Sequence, residues 1–243
     1  MDLALLAKDI RKGYGTPQRR QLILRGISLA VAAGETVYLV GPSGSGKTTL
    51  LHVLGCILTP DEGSLQVRGQ DVVSMSVAQR TALRRQHIGF IFQSFNLFPT
   101  LSALDNVRLA LFMQGLPLRA ASERATDLLN QVGLASRARL RPGLLSTGEC
   151  QRVAVARALA ADPAILLADE PTAALDAENG QTIMELLLRL VQDRGGTLVV
   201  VTHDERIFPF ADRIQWLENG HLTKEWLAGG SMPRTAAHEE EGA

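Results

Sequence analysis

The 243-residue sequence has little of several features that would place it in a specialised class of protein. Its two cysteines, Cys56 and Cys150, are too few for a disulfide framework and lack metal-site spacing, which favours a reducing compartment. No apolar run approaches the roughly 18 residues of a membrane span, and the start, MDLALLAKDI, is too short and acidic for a signal peptide. Twenty-five basic residues balance 25 acidic ones, so net charge gives no argument for a nucleic-acid partner, and none is expected.

What is present is an alternation of strand and helix patterns. The sequence is 46% hydrophobic, which is enough for a sizeable core. Apolar, β-branched segments alternate with helical ones, which predicts an α/β fold with a mainly parallel sheet and helices on both faces. The predicted strands are 34–40, 87–93, 164–170 and 197–204, and the predicted helices are about 47–57, 119–132, 147–161 and 178–193.

Three other regions differ from this alternation. The segments LILRGISLAV (22–31) and GSLQVRGQDV (63–72) have short strand patterns with turn residues, which predict an antiparallel flap. The region from about 95 to 160 is largely helical and predicts a subdomain inserted in the core of one domain, residues 1–227. The last segment, 228–243, lacks apolar periodicity and is predicted to be disordered.

A glycine-rich loop is the firmest functional signal. GPSGSGKT (41–48) matches the pattern G-x-x-x-x-G-K-[ST] between a predicted strand and a predicted helix. Glycines let backbone N–H groups surround a phosphate, Lys47 reaches the β- and γ-phosphate oxygens, and the Thr48 hydroxyl can ligate Mg²⁺. A chance glycine-rich turn would not require this full pattern in this context. The predicted nucleotide-binding residues here are Gly41, Pro42, Ser43, Gly44, Ser45, Gly46, Lys47, Thr48 and Thr49.

Two acidic residues follow a second apolar strand pattern, ILLADEP (165–171). A carboxylate at the end of such a strand commonly holds Mg²⁺ beside a phosphate loop. Because successive strand residues point to opposite faces, the two carboxylates should have different roles. We assign Asp169 to the metal and Glu170 to the attacking water as a general base. Two solvated acids at a strand end are the simpler interpretation, which the complete phosphate loop disfavours.

Two more polar residues, Gln93 and His203, end predicted strands. Ligands of open α/β sheets bind at the carboxyl ends of the strands. Gln93 could reach the metal or the water, and His203 could donate a hydrogen bond to the γ-phosphate. Taken alone, each is more simply a polar residue at a strand end with its hydrogen bonds made. Their occurrence together with the other motifs makes them candidate catalytic residues.

Together these motifs resemble one family. The phosphate loop, Gln93, LSTGE (145–149), LLADEP, AALD (173–176) and His203 occur in the order and spacing of the ATP-binding cassette (ABC) ATPases. The similarity covers about residues 3–225. It implies a P-loop NTPase fold with a RecA-like core, ATP and Mg²⁺ as cofactors, and stacking of the adenine on Tyr14.

The resemblance also implies how two chains combine. ABC cassettes pair head to tail, so that the LSTGE helix of one chain closes on the nucleotide held by the phosphate loop of the other. The usual motif is LSGGQ or LSGGE, and threonine in the third position would be strained if φ were positive there but harmless if φ were helical. The residues implied at this half-site are Ser146, Thr147, Gly148, Glu149 and, at the interface, Asp176.

The finer pattern is similar to one subgroup, the LolD-, MacB- and DevA-type exporter ATPases, and most of all to the DevA type. This similarity implies an ATP-dependent homodimer bound to an integral membrane permease at the cytoplasmic side of the inner membrane. A periplasmic adaptor, reached through the permease, is a further partner that the similarity suggests. Apolar residues after Gln93 could dock the permease or simply pack in the helical subdomain; they are Phe95, Leu97, Phe98 and Leu101. An ABC importer ATPase and a non-transport ABC ATPase remain alternatives.

Overall fold

The computed structural model describes residues 2–16 and 19–228, so the predicted disordered tail lies outside the described residues except for Ala228. This part of the chain contains ten strands and six α-helices. The strands are β1 (Leu3–Tyr14), β2 (Gln21–Ala32), β3 (Thr36–Val40), β4 (Glu62–Val67), β5 (Gln70–Asp71), β6 (Ile88–Ile91), β7 (Ile165–Asp169), β8 (Thr197–Val201), β9 (Arg213–Glu218) and β10 (His221–Leu227). The helices are α1 (Lys47–Leu54), α2 (Val77–His87), α3 (Ala103–Met113), α4 (Leu118–Gln131), α5 (Thr147–Leu159) and α6 (Ala177–Gln192).

The larger sheet has six strands in the order β10-β9-β3-β8-β7-β6. Its pairs are parallel except for the terminal β9–β10 hairpin, so the predicted mainly parallel sheet is confirmed. Every residue of β3, β7 and β8 is buried, which explains why their sequences are continuous apolar runs rather than alternating ones. This arrangement brings the ends of β3, β7 and β8 to one edge of the sheet.

The flap is a four-stranded antiparallel sheet in the order β2-β1-β4-β5. The strand predicted at 22–31 is the 12-residue β2, and the sequence interpretation missed β1, which is equally long and pairs with β2 with several register shifts. One face of the flap packs on α1, where Leu5, Ile10 and Leu24 share a buried cluster with Leu50 and Leu54. The flap therefore covers the helix that follows the phosphate loop.

The helical region between residues 95 and 160 contains α3, α4 and α5, which pack on one another and on the opposite face of the larger sheet. Some boundaries differ from the prediction. The first helix ends at Leu54, before Gly55 and the left-handed Cys56 (φ 56°), and β8 ends at Val201. The sequence interpretation missed α2, although Ser76 and Gln79 form a capping box at its start, and it missed the β9–β10 hairpin.

Candidate nucleotide-binding site

The phosphate loop connects β3 to α1 and depends on glycine conformation. Gly41, Gly44 and Gly46 have φ values of 143°, 75° and 106°, which L side chains rarely adopt. A Cβ on Gly41 would lie 2.0 Å from the Leu217 carbonyl oxygen, so the loop presses directly on β9. Gly46 is the N-cap of α1 and makes no side-chain cap, which leaves the first N–H groups of the helix for an anion.

A cavity of about 1050 Å³ opens over this loop. It gathers predicted residues from five separate parts of the chain, because β1, β3, β6, β7 and β8 all end near it. Ser45 is buried and does not line the cavity. The predicted residues that line it are Tyr14, Gly41, Pro42, Ser43, Gly44, Gly46, Lys47, Thr48, Thr49, Gln93, Glu170 and His203.

Lys47 is a buried cation at the floor of this cavity. Its Nζ donates hydrogen bonds to the carbonyl oxygens of Gly41 and Pro42, at 2.8 and 2.9 Å. Burial lowers the pKa of Lys47, whereas the negative charges of Glu170 and Asp169 act in the opposite direction. The loop thus holds a desolvated ammonium group where the phosphates of a nucleotide would lie.

Thr48 and Asp169 form a second pair beside the loop. The Thr48 hydroxyl donates to Asp169 Oδ1 at 3.1 Å, and burial raises the pKa of this carboxyl group. Among residues 2–16 and 19–228, no group of three or more His, Cys, Asp or Glu side chains could hold a metal ion by itself. One hydroxyl and one carboxylate nevertheless suit Mg²⁺, which commonly takes one or two protein oxygens together with substrate phosphates and water.

Glu170 and His203 form a third pair. His203 Nδ1 and Glu170 Oε1 lie 2.8 Å apart, and the histidine side chain is 70% exposed. The other carboxylate oxygen, Oε2, is buried and has no hydrogen-bond partner in the described part of the chain. Glu170 also has a left-handed backbone with φ of 49°, a strained conformation that is frequent at functional positions. Its backbone N–H donates to the Val201 carbonyl at 2.9 Å, which ties β7 to β8 at this point.

Asp169 and Glu170 therefore face different partners, as expected for successive residues at a strand end. Tyr14 lies at the far end of β1 with 46% of its surface exposed, and Gln93 lies exposed just beyond β6. Sequence reasoning missed five other lining residues, because they carry no phosphate or metal motif and reach the cavity only through packing. They are Ile23, Val40, Phe208, Trp216 and Glu218.

The predicted second half-site does not line this cavity. Ser146 is the N-cap of α5, where its Oγ accepts from Glu149 N at 3.2 Å and its N–H donates to Glu149 Oε2 at 2.8 Å. This capping box is the one that the S-x-x-E spacing indicates. Thr147 is the first residue of α5 and its φ is not positive, so threonine is unstrained there. Gly148 follows it within the helix.

Asp176 is likewise absent from the cavity lining and caps the next helix, α6. Its Oδ1 accepts from the Asn179 N–H at 2.9 Å, and its Oδ2 accepts from the Asn179 side chain at 2.8 Å. These hydrogen bonds lower the pKa of the exposed Asp176 carboxyl group. The structure thus brings together the phosphate loop, Tyr14, Gln93, Asp169, Glu170 and His203, but not Ser146 and Asp176.

Comparisons with known proteins agree with this geometry. Residues 24–173 match the ABC transporter family. The chain is 44% identical over 225 residues to the lipoprotein-releasing system ATP-binding protein LolD of Geobacter metallireducens, covering 93% of this chain and 100% of the relative. It is 43% identical to the macrolide export ATP-binding/permease protein MacB of Syntrophobacter fumaroxidans, covering 97% of this chain but 33% of that protein.

A solved structure is similar over the same range. It is a dimeric, post-hydrolysis state of the ATP-binding cassette MJ0796 bound to ADP and phosphate. It is 39% identical to this chain, with a TM-score of 0.87, and the match covers 93% of this chain and 100% of that one. The fold and the sequence therefore match the same group of proteins.

Proposed function

This chain belongs to the ABC transporter family, and we propose that it drives a membrane-bound export complex by hydrolysing ATP. As a member of the family it is an ATPase that uses ATP and Mg²⁺. The observation that carries the proposal is that the phosphate loop and the Glu170–His203 pair line one cavity, and that the buried Asp169 is bonded to Thr48 of this lining.

We assign the nucleotide to this cavity with its phosphates on the loop. Lys47 and the N–H groups at the start of α1 would hold the phosphate oxygens, and the ring of Tyr14 would stack on the base. Thr48 and Asp169, with Gln93 within reach, would hold Mg²⁺, which neutralises charge on the β- and γ-phosphate oxygens when bound.

The proposed general base is Glu170. Its buried Oε2 is an acceptor that a water molecule in the cavity could use, and its Oε1 is held by His203. A base must lie within hydrogen-bond reach of the proton that it removes, so the fixed orientation of the carboxylate favours this role. His203 would then orient Glu170 and, from its exposed position, also contact the γ-phosphate.

We further propose that two copies associate head to tail when ATP binds. The start of α5 is exposed and Ser146 does not line the cavity of its own chain, so Ser146 is free to contact the nucleotide of a second copy. The dimeric state of the similar ATP-binding cassette supports this arrangement. Gly148 and the helical Thr147 would allow α5 to approach the partner's nucleotide closely.

The partner in the membrane is proposed to be a permease. No helix of the described residues is long and apolar enough to cross a membrane, so the chain would reach the cytoplasmic face of the membrane through this subunit. In the loop after Gln93, Phe98 is 50% exposed, whereas Leu97 packs against the core. Phe98 is therefore the better candidate for docking the permease, whereas Leu97 packs in the core of the chain itself.

The named activities of the relatives suggest the cargo. One relative belongs to a lipoprotein-releasing system and another to macrolide export, which supports a lipid-linked or drug-like cargo moved outward. Two finer points stay predictions: that the complex is a glycolipid exporter of the DevA type, and that it binds a periplasmic adaptor. An importer ATPase shares most of the motifs and is the second candidate.

Co-purification tests the proposal. The tagged chain, recovered from detergent-solubilised membranes of its own cells, should bring down a permease with a large extracytoplasmic domain, identified by mass spectrometry. Phe98→Asp should reduce this recovery, whereas Phe112→Asp, which changes an equally apolar, 39% exposed residue at the end of α3, should not. Recovery of an importer permease with its binding protein would contradict the assignment to export.

A further inference from the structure

The loop after Gln93 contains two consecutive residues in the left-handed region. Phe95 has φ of 58° and Asn96 has φ of 49°. This conformation is uncommon for residues other than glycine and is costly for a bulky side chain such as phenylalanine. It persists only where the surrounding structure holds it in place, so the contacts of this loop decide its shape.

Arg157, in the last turn of α5, supplies those contacts. Its Nη2 donates to the Phe95 carbonyl oxygen at 2.6 Å, and its Nη1 donates to the Asn96 carbonyl oxygen. Burial lowers the pKa of Arg157, which means that the guanidinium group has given up water to make these bonds. A desolvated guanidinium that binds two carbonyls of one loop is a strong and directional anchor.

A second anchor holds the other end of the loop. Asn106 of α3 is fully buried, its Oδ1 accepts from Phe98 N at 2.7 Å, and its Nδ2 donates to the carbonyl oxygens of Phe98 and Leu101 at 3.2 and 3.3 Å. The loop is thus fastened to α3 and α5. Gln93, at the start of the loop, lies in the lining of the nucleotide cavity.

The helix that carries Arg157 also carries Ser146 at its start. These residues are 11 positions apart, which in an α-helix corresponds to about 16 Å along a rigid rod. A shift of the loop at the Arg157 end therefore moves the Ser146 end as well. The cavity of one chain is connected through Gln93, the loop and Arg157 to the surface that the chain presents to a second copy.

We propose that Arg157 is a positioning residue: it locks the Gln93 loop to α5, so that ATP in one chain orients the Ser146 helix end offered to the partner. This inference rests on the proposed function, since it assumes ATP-dependent pairing of two copies. Arg157 does not line the cavity, so it acts through the loop and not on the nucleotide.

The test uses the full chain with Glu170→Gln, which retains ATP. Adding Arg157→Met should leave ATP binding by the monomer unchanged within about twofold, but should raise the ATP concentration for half-maximal dimerisation about tenfold, a typical coupling between sites. Hydrogen exchange of the amides at 94–98 should become faster, because the carbonyl anchors are lost. Arg157→Lys, which keeps the charge and can still donate to one carbonyl, should give intermediate values for both.

Arg194→Met is the matched control. Arg194 is also a largely buried arginine that donates to a backbone carbonyl, that of Leu190, and it pairs with Gln131 and Asp162 away from the loop. Its loss should lower thermal stability without affecting dimerisation by ATP. If circular dichroism shows that Arg157→Met folds poorly, the dimerisation and hydrogen-exchange measurements are made on Arg157→Lys instead.

The outcomes separate the two proposals. Unchanged exchange at 94–98, or dimerisation equal to that of Glu170→Gln alone, would overturn the role of Arg157. An equal loss in Arg194→Met would also overturn it, since the effect would then be one of general stability. Failure of Glu170→Gln itself to dimerise with ATP would instead reject the proposed head-to-tail function, while the exchange measurement would still report whether Arg157 holds the loop.

Discussion

Two helix N-termini in this chain are suited to anions, and they differ in how far the chain itself completes them. The start of α1 has no side-chain cap and lies in a cavity with Lys47. The start of α5 is exposed and already capped by Ser146 and Glu149. The start of α1 leaves its N–H groups for a ligand from solution. The start of α5 already has its capping hydrogen bonds, and it does not line the nucleotide cavity of its own chain.

Charge sharpens this difference. Hydrogen bonding to the Ser146 N–H and the nearby guanidinium of Arg137 lower the pKa of Glu149, so a carboxylate stands at the start of α5. A lone carboxylate would repel phosphate, and its 3.1 Å contact with Arg137 Nε partly offsets that charge. In the proposed head-to-tail arrangement, α1 would bind nucleotide in the monomer, whereas α5 would contribute to the nucleotide held by a second copy.

The largest expected effect separates binding from chemistry at the first site. Glu170→Gln keeps the shape of the side chain but removes the proposed base, so turnover should fall by roughly 10²–10⁴-fold with ATP binding retained. Lys47→Ala removes a charge that contacts phosphate before reaction, so it should weaken both ATP binding and hydrolysis. Steady-state ATPase assays and nucleotide titrations measure these effects, and near-normal turnover in Glu170→Gln would exclude the assigned role.

The next effect concerns the second site. In the Glu170→Gln background, Ser146→Arg should place a bulky side chain where the partner's γ-phosphate must lie. This double variant should still bind ATP at its own loop but should remain monomeric with ATP in size-exclusion chromatography.

The control for this variant is Ser76→Arg. Ser76 forms the same capping box at the start of α2 and does not line the cavity, so its loss has a similar cost of about 1 kcal/mol. Ser76→Arg should leave ATP-dependent dimerisation intact. Dimerisation of the Ser146→Arg variant at the level of its parent would contradict the head-to-tail arrangement.

A smaller effect concerns the base-binding end of the cavity. If Tyr14 contacts the base only through its π-face, ATP and GTP should bind with less than about a tenfold difference, or about 1.4 kcal/mol. Competition titrations of the wild-type chain measure this ratio. A dedicated polar contact would add roughly 1–3 kcal/mol of discrimination, and such a ratio would point to a lining residue such as Glu218.

The smallest effect is expected for Thr147→Gly, which restores the usual motif at the start of α5. Because Thr147 is the first residue of the helix and has no positive φ, glycine relieves no strain there. ATPase activity should change by less than about twofold, equivalent to about 0.4 kcal/mol. A clear gain in activity would mean that threonine strains the half-site when two copies close.

Prediction from sequence succeeded where the signal is local. The phosphate loop, the α/β order and the capping box at Ser146 each depend on residues within a few positions of one another. It was less successful where long-range pairing decides, since it missed β1 and the β9–β10 hairpin and made β2 too short. Lining residues such as Trp216 could not be found, because no local pattern marks a side chain that reaches a site only through packing.

The chemistry of this protein can be predicted from the sequence alone, because the motifs identify the residues that can hold phosphate and metal and the family that they resemble. Which of these residues meet depends on the tertiary structure. Parallel strand ends bring Glu170 to His203 across 33 positions, and packing of the flap on α1 sets Tyr14 over the loop. It also placed Ser146 outside its own cavity and Arg157 on the Gln93 loop. Such contacts depend on how whole elements pack, and a sequence pattern carries only the local preferences of each element.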